Sequence, residues 1–139
     1  MSMEIYVACP SSALPEADQL QLAVRQNGID LVIPVMDWST QSGFLPMVLK
    51  GRESGVEVDV YTGADALDAV SAFGIFSVGA VVAMRWGGDI AECACAYTLA
   101  GAISVLTNGR TFDPEQGVEL TPAKAFDQAK SAISIEWLE

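Results

Sequence analysis

The chain has 139 residues, of which 51% are hydrophobic, and its 7 Lys and Arg against 18 Asp and Glu give a net charge of −11. This length predicts a single domain over residues 1–139, the apolar content excludes a disordered chain, and the acidity argues against nucleic acid, whose phosphates repel such a surface. A basic protein is the complementary partner; the alternative is that the charge only keeps an apolar chain soluble.

Residue patterns in the N-terminal half predict a strand, a helix, a second strand and a β-hairpin. These elements are predicted over residues 4–9, from Pro15 or Glu16 to about Gln26, over 29–36, and over 44–50 with 56–61. The segment 29–36 is apolar on both faces, which favours a central strand. A five-residue loop, Gly51 to Gly55, is expected to join the hairpin arms. In the second arm Val56, Val58 and Val60 are expected to face inward, and Glu57, Asp59 and Tyr61 outward.

The C-terminal half alternates helices and strands. The predicted order is a helix over 64–73 capped by Thr62, a strand over 75–85, a helix over 89–106, a strand over 110–113, a short pairing segment over 118–120 and a helix from Pro122 to about Trp137. This succession predicts an α+β fold, with a mixed, mostly antiparallel sheet of about five strands and helices packed on its faces.

The helix over 89–106 is apolar around its whole circumference, so we expect it to be buried in the core. Asp89 is predicted to cap its first free N–H groups, and Asn108 to end it in a left-handed conformation. Its length is close to that of a membrane span. However, Asp89 and Glu92 in its first turn and the preceding Arg85 favour a core helix of a protein that does not enter a membrane.

Several kinds of catalysis are excluded by what the sequence lacks. It has no histidine, which excludes His-dependent triads and His metal sites, and it has neither a phosphate-binding loop nor a G-x-S-x-G turn. Cys93 and Cys95, two residues apart on a helix, match no zinc motif. With Cys9 they are expected to be free thiols, which favours the cytoplasm. We therefore predict no catalytic residue, no metal and no cofactor.

Acidic and aromatic side chains of the hairpin and of the loop before it are the candidate partner-binding residues. Trp, Tyr and Arg carry much of the binding energy in protein interfaces, and acids beside them suit a basic partner. The candidates are Trp38, Phe44, Arg52, Glu53, Glu57, Asp59 and Tyr61. The alternatives are a solvated strand face for Glu57 and Asp59, and partial core burial for Trp38.

Three segments together carry a family resemblance: G-F-L-P-M-V-L-K-G-R-E-S-G-V-E-V at 43–58, A-E-C-A-C-A-Y-T-L-A-G-A at 91–102 and L-T-N-G-R-T-F-D-P-E-Q-G-V-E-L-T-P-A-K-A at 106–125. They resemble a family of small bacterial proteins linked to the immunity proteins of interbacterial toxin systems, polymorphic and type VI toxins among them. The resemblance implies a cytoplasmic, non-enzymatic inhibitor that blocks a toxin domain by direct binding, and it offers no catalytic residues.

The main functional hypothesis is thus an immunity protein that binds a cognate, basic toxin domain and blocks its active site. One alternative is a small hydrolase that uses carboxylates such as Asp89 and Glu92 to hold a cation or to do acid–base work. Another is a structural subunit that forms a homodimer.

Overall fold

A computed structural model describes residues 2–137; Met1, Leu138 and Glu139 of the predicted 1–139 domain lie outside the described residues. The described part is an α+β fold, as predicted. Its elements are β1 (Met3–Cys9), α1 (Ala17–Gln26), β2 (Leu31–Val32), β3 (Phe44–Leu49), β4 (Arg52–Thr62), α2 (Gly63–Val70), β5 (Ala80–Trp86), α3 (Ile90–Thr107), β6 (Arg110–Asp113), β7 (Val118–Leu120) and α4 (Pro122–Glu136).

The strands form one open sheet in the order β2-β3-β4-β5-β1-β6-β7. Every pairing among the described strands is antiparallel, so the predicted sheet is confirmed, with seven strands instead of about five. The short β2 and β7 form its two edges. β5 lies at the centre of the sheet and pairs with β4 on one side and with β1 on the other.

The two faces of the sheet are covered unequally. Helices α1, α3 and α4 cover one face, and the main core lies between them and inward side chains such as Val7, Val58 and Met84. Among the described helices, α2 packs on the opposite face together with the segment that follows it, and Ala66 and Val70 belong there to a smaller cluster that includes Ala8, Val81 and Phe112. This second face is called the open face below. It is accessible along β3 and along the part of β4 that pairs with β3.

Helix α3 is the buried core helix that the sequence predicts. The Asp89 side chain accepts a hydrogen bond from the backbone N–H of Glu92 at 3.0 Å, and Asn108 ends the helix in the left-handed conformation. It is long and apolar enough to cross a membrane, yet 67% of it is buried inside the fold. Gly101 lets α4 approach closely, because a Cβ there would lie 3.0 Å from the ring of Phe126.

The prediction of a central strand over 29–36 is wrong. Only Leu31–Val32 forms a strand, and it lies at the sheet edge. The side chain of Gln21 takes the place of a neighbouring strand, because its Nε2 donates to the carbonyl of Leu31 at 2.7 Å and its Oε1 accepts from the N–H of Ile33 at 2.8 Å. Pro34 then ends the strand, since it has no N–H to donate.

The predicted five-residue loop between the hairpin arms is also wrong. Strand β3 ends at Leu49 and β4 begins at Arg52, so Lys50 and Gly51 alone form the turn. Both have positive φ, 49° and 77°, as a type I′ hairpin turn requires. Arg52 and Glu53 therefore belong to β4, and their side chains lie on opposite faces of the sheet.

Two other elements are shorter than predicted. The helix expected over 64–73 is α-helical only to Val70 and continues as a 3₁₀ turn, Ser71–Phe73, which Gly74 ends in the left-handed conformation. The strand expected over 75–85 begins at Ala80.

Candidate functional site

Five of the seven predicted binding residues share the open face. Strand β4 presents alternate residues to each side, and Glu57 stands between Phe44 on β3 and Arg85 on β5. The five residues are Phe44, Glu53, Glu57, Asp59 and Tyr61. The alternation of Val56, Val58 and Val60 toward the helices with acids toward the open face is confirmed, although Val60 is only half-buried.

The other two predicted binding residues lie elsewhere. Arg52 faces the helix-covered side, where its guanidinium donates to Glu136 at 2.8 Å and lies 4.2 Å from the ring centre of Trp137. The Trp38 indole N–H donates to the carbonyl of Pro15 at 2.6 Å. Trp38 packs against the core and lines a groove of about 980 Å³ beside the start of α1. The structure therefore does not bring Trp38 or Arg52 together with the five residues of the open face.

Arg85 is the centre of a hydrogen-bonded network on the open face. Its Nε donates to Glu4 at 2.7 Å, one terminal nitrogen donates to Asp59 at 2.9 Å, and the other donates to the hydroxyl of Tyr61 at 2.8 Å. The hydroxyl of Tyr6 also donates to Glu4, at 2.9 Å. The hydrogen bonds to Tyr61 and Glu4 raise the pKa of Arg85 above its ordinary value. The network joins β1, β4 and β5, and its Tyr6 and Tyr61 also pack against the cluster that contains Ala66 and Val70 of α2.

Asp59 is fully engaged within this network. Its second carboxylate oxygen accepts from the hydroxyl of Ser42 at 2.9 Å and from the N–H of Gly43 at 3.2 Å. Asp59 and Tyr61 therefore hold the sheet together. Among the described residues, Glu53 and Glu57 form neither an ion pair nor a side-chain hydrogen bond, so their carboxylates are available to a partner.

We expect the substitution Arg85→Met to lower the free energy of unfolding by about 2 kcal/mol, because it removes the only cation paired with the half-buried carboxylates of Glu4 and Asp59 among the described residues. Arg110→Met is the matched control, since Arg110 makes a single exposed ion pair with Glu119. The Arg110 side chain is 54% exposed and that of Arg85 is 26% exposed. The control is expected to change the free energy by about 0.5 kcal/mol. Urea unfolding of both variants measures the difference, and equal effects would mean that the network adds nothing beyond surface charge.

A groove of about 610 Å³ on the open face is lined by residues of β2, β3, β4 and α3 and by Pro34 after β2. Its apolar lining includes Val32, Pro34, Phe44, Pro46 and Val48, and its carboxylates are Glu53 and Glu92. Phe44 is 53% exposed and Val32 is 48% exposed, so apolar surface is open to solvent there. The ring of Phe44 lies over Gly55, where a Cβ would come within 2.7 Å of the ring.

Glu92 belongs to α3 but lies close enough to Glu57 of β4 for the two charges to interact. Burial raises its pKa above 4.5, and the charges of Asp89 and Glu57 raise it further. Its ionisation therefore opposes folding above the folded-state pKa, and this penalty is relieved as the pH falls through that pKa toward 4.5. We expect NMR titration to give Glu92 a pKa above 4.5, and the substitution Glu57→Gln to lower it. An unchanged pKa of Glu92 in that variant would show that the charge of Glu57 does not act on Glu92.

The remaining reactive groups of the described chain form no second centre. Within residues 2–137, no three Cys, Asp or Glu side chains converge as metal ligands would. Cys9, Cys93 and Cys95 are free thiols, and burial followed by the charge of Cys95 raises the pKa of Cys93 to about 11. A thiol with such a pKa is almost wholly protonated near neutral pH, so it is a poor nucleophile.

Sequence reasoning missed Arg85 as a site residue and missed the groove. The available signal for Arg85 was a lone arginine in an otherwise apolar strand, which needs carboxylates across from it. The groove gave no such signal, because β2 and β3 contribute its lining from segments that read as ordinary apolar strands.

No protein-family model matches the chain, and a search of curated protein sequences also finds no match.

Proposed function

We propose that this protein is an immunity protein that binds a cognate, basic bacterial toxin domain and blocks the active site of that domain. The observation that carries the proposal is the open face of β3 and β4. There the exposed ring of Phe44 lies beside Glu57, which has no cation of its own among the described residues. An exposed aromatic next to an unpaired acid suits a partner that brings both apolar and positive surface.

The net charge of −11 supports this choice of partner. A strongly acidic surface steers a basic protein into contact and speeds its association. A homodimer through the same face would bring Glu53 and Glu57 of two copies together, and like charges at an interface oppose binding. The open face therefore favours a basic partner over a second copy of this chain.

Inhibition by this face needs no reactive group. The Arg85 network holds β4 in place, so Phe44, Glu53 and Glu57 are presented on a rigid strand pair. A rigid acidic surface that covers a basic cleft excludes the substrate from it. We place this action in the cytoplasm, where three free thiols such as those of this chain stay reduced.

Co-expression with the polypeptide encoded beside this chain tests the proposal. We expect the protein to restore growth of cells that the neighbouring toxin domain arrests, and to copurify with that domain. A variant with Arg110→Met serves as a folded control, since Arg110 lies away from β3 and β4. A toxin domain that is neither bound nor neutralised would contradict the proposal.

A further inference from the structure

The groove on the open face combines an apolar wall with acids at its rim. Phe44, Pro46 and Val48 lie on one face of β3, and Glu53 of β4 pairs with Val48. Glu92 reaches the same groove from the first turn of α3. Its volume of about 610 Å³ is within the range of roughly 300–1,000 Å³ that is typical of ligand pockets in proteins.

Glu53 and Glu92 form no ion pair among the described residues, although cations lie nearby in the chain fold, on β4, in the β3–β4 turn and on β5. Arg85 stands directly across from Glu57, but it donates to Glu4, Asp59 and Tyr61. Arg52 pairs with Glu136 on the other side of the sheet. Lys50 lies 5.6 Å from the ring centre of Trp137 on that same side. The fold thus directs its own cations away from the groove.

We propose that the groove receives an arginine side chain of the partner protein, with the aliphatic part against Pro46 and Val48 and the guanidinium at Glu53 and Glu92. An arginine fits better than a lysine, because a planar guanidinium stacks on an exposed aromatic ring such as Phe44 and bonds carboxylates with several N–H groups. The assignment rests on the proposed function, which supplies the partner. The raised pKa of Glu92 agrees with a carboxylate that lacks a cation.

NMR titration of the whole, ¹⁵N-labelled chain with N-acetyl-arginine amide tests the groove without any toxin. We expect saturable shifts at residues 44–48, 53–55 and 90–93. The lysine derivative and the uncharged norleucine derivative are expected to bind about fivefold more weakly or worse. Glu53→Gln and Glu92→Gln are each expected to weaken arginine binding about fivefold, the size of one ion pair. Asp127→Asn, an exposed acid on α4, is the matched control and should leave binding unchanged.

In the titration, the inference would be overturned by norleucine binding as tightly as arginine, by lysine binding more tightly than arginine, or by Asp127→Asn weakening binding as much as Glu53→Gln. Toxin protection by the Glu53→Gln, Glu92→Gln double variant is measured separately. Full protection without arginine binding would contradict the groove assignment and leave the immunity function standing. Specific arginine binding without any bound toxin would contradict the immunity function instead.

Discussion

Replacing both Glu53 and Glu57 by lysine is expected to slow association with the toxin domain by about tenfold to a hundredfold and to abolish protection of growth. Both carboxylates lie on the open face without a cation among the described residues, so reversal turns attraction of a basic partner into repulsion at the point of contact. Association rates at several salt concentrations measure the effect. The variant is expected to lose most of the salt dependence that the natural chain has, because screening then has less attraction to weaken.

The control reverses the same amount of charge elsewhere. Glu115 in the β6–β7 turn and Asp127 on α4 are both exposed, and β6 and β7 lie at the opposite end of the strand order from β3. The Glu115→Lys, Asp127→Lys variant should slow association only slightly. Equal slowing in both double variants would show that the net charge of the chain sets the association rate and that the open face is not the contact surface. Asp59 is unsuited to this experiment, since its replacement would also break the Arg85 network.

Replacing Gly55 by alanine is expected to lower the free energy of unfolding by about 3 kcal/mol. Gly55 has φ near +142°, which an L side chain rarely adopts, and a Cβ there would lie 2.3 Å from the carbonyl oxygen of Leu45. The ring of Phe44 would also be displaced from its place over Gly55. Urea unfolding measures the loss, and binding of the arginine derivative reports the displaced ring.

Gly87→Ala provides the comparison for this substitution. Gly87 has no strained φ, and a Cβ there would meet nothing within 4 Å, so the expected change is within about 0.5 kcal/mol. Phe44→Ala removes the ring while leaving Gly55 in place, which separates loss of binding from loss of stability. If Gly55→Ala were as stable as Gly87→Ala, the close approach of β3 to β4 at this point would not constrain the fold.

Local signals account for the elements that the sequence predicts well. The ends of α3 agree with the prediction within about one residue, because a capping aspartate and a left-handed asparagine act on their own neighbours. The same holds for α4, where the Thr121 hydroxyl accepts from the N–H of Lys124. The inward and outward sides of β4 follow from simple alternation, so Glu57 and Asp59 are correctly assigned to one face.

Contacts between distant segments account for two of the errors, and an unusual local backbone conformation accounts for a third. The apolar run at 29–36 resembles a central strand, but Gln21 of α1 occupies the outer side of its backbone. Lys50 is an uncommon residue for a positive φ, so the tight turn that it forms with Gly51 was not predicted. The Arg85 network depends on β5 lying between β1 and β4, and residue spacing alone gives no strand order.

The contact between Gln21 and β2 also affects how this molecule meets copies of itself. An outermost strand normally offers free amide and carbonyl groups on which another chain can align and start aggregation. Here one side-chain amide occupies the outward groups of Leu31 and Ile33, so this border of the sheet gives an arriving chain no template. At the opposite border, β7 is only three residues long and is too short to provide one.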